Sequence, residues 1–121
     1  MRTGRSLAAA AVLAVALAAC GGKQAEPVPE GDEQAGTANI GAYGCGACHA
    51  IPGIDGANGT VGPSLADFAS HRYIAGRLPN SVDNAVRWIM HPHQIDPQTV
   101  MPDLGLSETQ ARDVVAYLYV H

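Results

Sequence analysis

Five consecutive residues constrain this chain more than any others. Cys45-Gly46-Ala47-Cys48-His49 places two thiols two residues apart and an imidazole directly after them. Thiols this close oxidise, bind metal or are consumed by a covalent partner, so the fold has to be organised around whatever they engage. The chain has 121 residues, enough for one domain. It holds three cysteines. The third, Cys20, stands apart from the pair and leaves no fourth thiol for a structural disulfide.

Residues 1–19 read as an export signal. Arg2 and Arg5 are positive, and residues 7–19 are an unbroken run of Ala, Val and Leu, which suits a signal-peptide core and is short for a bilayer span. Leu17-Ala18-Ala19-Cys20-Gly21 then resembles the lipobox of bacterial lipoproteins. That resemblance implies cleavage before Cys20 and lipidation of its thiol, on the periplasmic side of a bacterial membrane. Gly21 is not the aspartate that holds such lipoproteins at the inner membrane, so the outer membrane is favoured. Ordinary cleavage that leaves Cys20 as a free thiol is the alternative, although an exposed thiol is a liability in an oxidising compartment. Residues 20–31 are polar, carry Pro27 and Pro29 and lack apolar periodicity; a flexible tether of this length spans roughly 20 Å on average. The domain is expected over residues 32–121. Without Arg2 and Arg5, five basic residues face eleven acidic ones, a net charge of −6, which argues against nucleic acid as a partner.

The pattern over the domain is all-α with long loops. A helix is expected over residues 32–45, with Asp32 and Glu33 at its start and Ile40 and Tyr43 on its apolar side. A short helix is expected over 64–70 and another over 81–90, where Val82, Ala85, Val86 and Ile89 share a face before Pro92. Residues 51–63, 72–80 and 91–105 read as irregular. The last helix is the clearest: Ser107 and Gln110 form a capping box, and Ala111, Val114, Val115 and Leu118 fall at i, i+3, i+4 and i+7. No segment alternates convincingly enough for a strand. Short helices and a single phenylalanine, Phe68, make a thin core, and loops this long in a small domain point to a function. A large apolar cofactor at the centre would resolve both problems.

Cys-x-x-Cys-His is the pattern of covalent c-type haem attachment. The thiols of Cys45 and Cys48 add to the two vinyl groups of one porphyrin, and His49 is set to ligate the iron. A redox-active dithiol would normally follow a strand in an α/β chain. A zinc site would need two further ligands, for which His91 and His93 are available. A haem iron also needs a sixth ligand. Met101, in an irregular stretch stiffened by Pro102, is the expected donor; Met90, His71, His91, His93 and His121 are the other candidates, with Met90 better suited to core packing.

Taken with these residues, the chain resembles the class I cytochromes c, and in particular short bacterial members related to the cytochrome c domains of respiratory oxidases. The resemblance covers residues 36–119. Gly36 and Ile40 precede the haem motif much as the family's glycine and aromatic do, one residue further away and with isoleucine for the aromatic. Gly62-Pro63-x-Leu65 resembles the family's loop whose proline carbonyl accepts the N–H of the proximal histidine. Trp88-x-x-x-Pro92 stands ahead of Met101 as an aromatic and a proline do in relatives. Residues 114–118 resemble the C-terminal helix that crosses the first helix at its glycine. The resemblance implies a class I fold wrapped around one haem c, Trp88 packed near the methionine sulfur, and Arg72 and Tyr73 beside a propionate, with Arg77 and Asn80 as weaker candidates.

The expected function is one-electron transfer without bond chemistry, served by histidine–methionine ligation, with a cytochrome oxidase or a cytochrome c reductase as redox partner. The alternative is a haem enzyme or sensor whose sixth site opens. A membrane-bound subunit feeding one fixed enzyme is compatible with the first reading. Positions expected at the haem edge are almost all neutral: Gly44, Gly46, Ala47, Ile51, Pro52, Gly53 and Ile54 on the histidine side, and His93, Val100, Pro102 and Leu104 on the methionine side, with Asp103 the one formal charge. An apolar docking patch is therefore expected, with Ile51 and Leu104 also able to turn inward.

Overall fold

Asp32 opens the first helix. In the structure, a computed structural model that describes Val28 and residues 30–121, the Asp32 carboxylate accepts the Ala35 amide at 2.7 Å and caps α1, Glu33–Ala42. The helix stops three residues short of the expected Cys45. Tyr43 leaves helical geometry, and Gly44 turns into the left-handed region at φ 68°, where glycine alone carries no steric cost. Cys45–Ala47 then form one 3₁₀ turn. The expected export signal, Cys20 and most of the expected tether lie outside the described residues. The packed domain nevertheless begins before residue 32. Val28 is buried, and a Cβ on Gly31 would lie 2.8 Å from the Arg112 carbonyl oxygen and 2.9 Å from the Ala116 Cβ.

The C-terminal helix α4, Glu108–Val120, is the spine. Its capping box is complete: Ser107 Oγ accepts the Gln110 amide at 3.2 Å, and Gln110 Oε1 accepts the Ser107 amide at 3.0 Å. The expected face is buried, and so are Asp113, Ala116 and Tyr117. Burial extends around most of the helix because α1 packs on one side and a further helix, α2 (Val82–Met90), on another. At the α1–α4 crossing, Gly36 lies so close to Asp113 that a Cβ would overlap the Asp113 carbonyl. The buried Asp113 carboxylate is satisfied there. It accepts the Asp32 amide at 2.9 Å and the Asn39 side-chain amide at 3.4 Å, so the start of α1 is tied to α4.

Helix α2, Val82–Met90, begins at an Ser81 cap and buries Ala85, Val86 and Ile89. Pro92 does more than end it. It occupies the first turn of a short helix α3, Pro92–Ile95, where its missing N–H costs nothing; this segment was expected as loop. The helix expected over 64–70 is only a 3₁₀ turn, Phe68–Ser70. Residues expected as irregular hold a small hairpin, in which β1 (Tyr73–Ile74) pairs antiparallel with β2 (Leu78–Pro79). Ala75 and Gly76 turn it with φ of 51° and 63°, and the Arg77 amide donates to the Ile74 carbonyl at 2.9 Å. The two short strands leave the all-α class unchanged.

Candidate cofactor site

The motif is pinned by the loop that follows it. The Gly59 amide donates to the Gly46 carbonyl at 3.1 Å, Gly62 to Cys48 at 2.7 Å and Leu65 to Ala50 at 2.9 Å. These bonds lay residues 59–65 against Cys48 and His49. The Pro63 carbonyl oxygen then lies 2.7 Å from His49 Nδ1. A carbonyl only accepts, so Nδ1 carries the proton and Nε2 keeps the lone pair, the tautomer and orientation a metal-ligating histidine needs. Gly62 makes this approach possible, because any Cβ there would overlap the His49 ring.

Cys45, Cys48 and His49 form part of the wall of a cleft of about 570 Å³, within the usual range for cofactor sites. Ile40, Leu65, Phe68, Ile74, Ile89 and Leu118 supply apolar walls. Burial pushes the Cys45 thiol above its ordinary pKa, and the neighbouring Cys48 adds to the shift. Two thiols, an imidazole lone pair and a thioether around one apolar cleft make the donor set that a covalent haem requires.

Tyr73, Trp88, Pro63 and Met101 also line the cleft, whereas Arg72 is exposed and stands outside the lining. Among the alternative sixth ligands, only His71 is part of the wall; Met90, His91, His93 and His121 are not. Met90 packs against the core, His91 faces Asp103 at 3.7 Å, and His121 pairs with Glu33 at 2.8 Å. Among the described residues, no three Cys, His, Asp or Glu side chains converge as a metal cluster, so the zinc reading lacks its donors. Asn80 donates to the Phe68 carbonyl at 2.8 Å and accepts the Tyr119 hydroxyl at 2.7 Å, which holds the hairpin to α4. Of the expected docking positions, Ile51 is buried and turns into the wall. Asp96 and Val61 belong to the lining and were not anticipated. The adjacent Pro97 was the only local sign that Asp96 opens a turn.

The cytochrome c family profile matches residues 33–119. Among curated proteins, cytochrome c oxidase subunit 2 of Alkalihalophilus pseudofirmus is 36% identical over 75 residues, covering 61% of this chain and 21% of that subunit. The corresponding subunit of a Bacillus species (strain PS3) is 32% identical over 78 residues, covering 61% of this chain and 22% of the subunit. The chain thus spans about a fifth of the length of these relatives. In fold it is similar to cytochrome c2 of Rhodobacter sphaeroides, with a TM-score of 0.51 and 19% identity over 73% of this chain and 94% of that one. With the family profile spanning both walls of the thiol-lined cleft, the chain belongs to the cytochrome c family, as a class I c-type cytochrome that carries covalent haem c and transfers electrons.

Proposed function

We propose that this cytochrome holds one haem through thioethers to Cys45 and Cys48, with His49 and Met101 as axial ligands, and that it works tethered to a membrane through Cys20 as an electron donor or acceptor of a respiratory oxidase. The observation that carries the ligand assignment is the shared cleft: both thiols, the Pro63-oriented His49 and Met101 line it, Met90 does not, and the one other candidate in the wall, His71, packs its ring against Phe68. When bound, haem c supplies a one-electron couple. The chain's own residues do the rest. Pro63 fixes the His49 ring, Met101 offers a soft thioether that raises the potential relative to a second histidine, and the apolar walls exclude water. Among the described residues, no helix is long and apolar enough to cross a membrane; the proposed anchor is the lipid on Cys20. The likeness to part of two oxidase subunits supports an oxidase as partner. Val61, Tyr73 and Val100 are 70%, 59% and 82% exposed and all border the cleft. Such an apolar rim supports a docking face that does not rely on charge.

Ferric absorption spectra and potentiometry of single variants test the assignment. Met101→Leu is expected to abolish the far-red sulfur-to-iron charge-transfer band, and Met101→His to keep the haem low-spin at a lower potential. Met90→Leu should leave both spectrum and potential unchanged. Loss of the band in Met90→Leu with retention in Met101→Leu would show that Met90, not Met101, is the ligand.

A further inference from the structure

The methionine side of the cleft is held by bonds of very short reach. Asp96 Oδ1 accepts the Gln98 amide at 3.1 Å, and the Asp96 carbonyl accepts the Thr99 amide at 3.1 Å. Thr99 Oγ1 accepts the Met101 amide at 3.2 Å, and Asp103 Oδ1 accepts the Gly105 amide at 3.1 Å. Each joins residues two or three apart. The Asp96 amide also donates to the Pro92 carbonyl at 2.9 Å, which joins the start of the loop to α3; none of these bonds fixes residues 97–105 to the rest of the domain. Leu104 and Leu106 supply packing, and Asp103 faces His91 only at 3.7 Å. Among the described residues, one side-chain hydrogen bond ties residues 96–105 to an element across the cleft mouth. Arg77, at the hairpin turn, donates from its guanidinium to Asp96 Oδ2 at 3.2 Å. The Asp96 carboxylate is therefore gripped twice: one oxygen starts the turn that leads to Met101, and the other is held by the hairpin.

We infer that Arg77 and Asp96 form a latch that holds the methionine loop closed over the haem, and that Arg77 is a positioning residue for the Met101 sulfur. The inference rests on Met101 as the sixth ligand. The hairpin is a suitable anchor because Asn80 fixes its base to Phe68 and to Tyr119 of α4, so the latch connects the loop to the spine. The side chains are 56% exposed for Arg77 and 20% for Asp96, and a single-pronged pair near the surface is modest in strength. The latch tunes how often the loop opens, and the packing of Leu104 and Leu106 keeps it closed most of the time without it.

The test uses the ferric holoprotein with imidazole as a probe that binds when the methionine sulfur leaves, together with amide hydrogen exchange at Thr99 and Met101. Arg77→Gln is expected to raise imidazole affinity about threefold and to speed exchange of those two amides by the same factor, while amides of α1 and α4 keep their rates. Asp96→Asn keeps an acceptor for Gln98 and loses the charge; it should match Arg77→Gln, and the double variant should add nothing further. Arg77→Lys should restore most of the wild-type behaviour. Raising salt from roughly 20 to 500 mM should weaken the wild-type latch and leave Arg77→Gln unaffected. Unchanged affinity and exchange in Arg77→Gln, or full additivity in the double variant, would overturn the latch. The wild-type charge-transfer band reports methionine ligation separately. Its absence would overturn the ligand assignment, and the exchange rates would still decide whether the latch exists.

Discussion

Replacing Gly36 with alanine should destabilise the protein, although alanine is the better helix former. The residue sits where α1 crosses α4. An alanine Cβ would lie 2.8 Å from the Asp113 carbonyl carbon and 3.1 Å from the Tyr117 Cβ, and closer still to the Asp113 oxygen. These are backbone and near-backbone atoms, which no rotamer change can move aside. The helices must separate, which loosens the packing around Ile40 and Tyr117. Overpacking of a tight contact costs about 1–3 kcal/mol, and a rigid obstacle puts this site at the upper end. The gain in helix propensity offsets about 1 kcal/mol of that cost. The net loss of about 2 kcal/mol corresponds to a fall in Tm of roughly 10 °C for a domain of this size. Gly41, in the same helix, supplies the control. A Cβ there meets nothing within 4 Å, so Gly41→Ala should stabilise the protein by about 0.5–1 kcal/mol through propensity alone. Thermal and denaturant unfolding of both holoproteins, followed by far-UV circular dichroism, gives the two shifts. Equal or greater stability of Gly36→Ala, or shifts of the same sign, would refute the close-crossing argument.

Three further outcomes are expected. The double variant Cys45→Ala, Cys48→Ala should retain no haem through a denaturing gel, since both thioether positions are removed; a haem-staining band at the position of the chain would contradict the attachment sites. Burial raises the Tyr119 pKa above that of an ordinary phenol, so its contribution to stability is intact below the unfolded-state pKa of about 10 and is lost as pH rises through the folded value. Unfolding free energy should therefore fall above about pH 10 and fall less steeply in Tyr119→Phe; identical slopes would show that this hydroxyl is not involved. Electron-transfer rates with the natural partner should change less than about threefold between roughly 20 and 200 mM salt, and a tenfold fall would show that charge steers docking.

What the sequence revealed follows from how local each signal is. The capping box at Ser107 and Gln110, the helix start at Asp32 and the periodic face of α2 are written within one or two helical turns, and the structure has them. Gly36 was legible only by resemblance, since nothing near it announces a helix crossing. The hairpin is not legible in the sequence because its turn is built on Ala75 and Gly76 rather than on an asparagine–glycine pair, and because its strands are two residues long. Pro92 reads as a stop in the sequence, although the first turn of a helix accepts proline equally well. At the cleft, the Cys-x-x-Cys-His motif and the loop position of Met101 were visible along the chain. The pairing of Arg77 with Asp96 was not, because two ordinary charges 19 residues apart carry no mark of their partnership until the fold brings them together.

The two walls of the cleft would fail in different ways. On the histidine side, backbone bonds from Gly59, Gly62 and Leu65 reach back 13 to 15 residues to Gly46, Cys48 and Ala50, so that wall cannot come loose without dismantling the motif itself. On the methionine side, the bonds within the loop span two or three residues and travel with it. Damage by heat, denaturant or mutation should therefore release the sulfur while the imidazole and both thioethers hold. A molecule wounded in this way keeps its cofactor and its scaffold, and it recovers by re-closing one loop rather than by refolding or by being loaded with haem again.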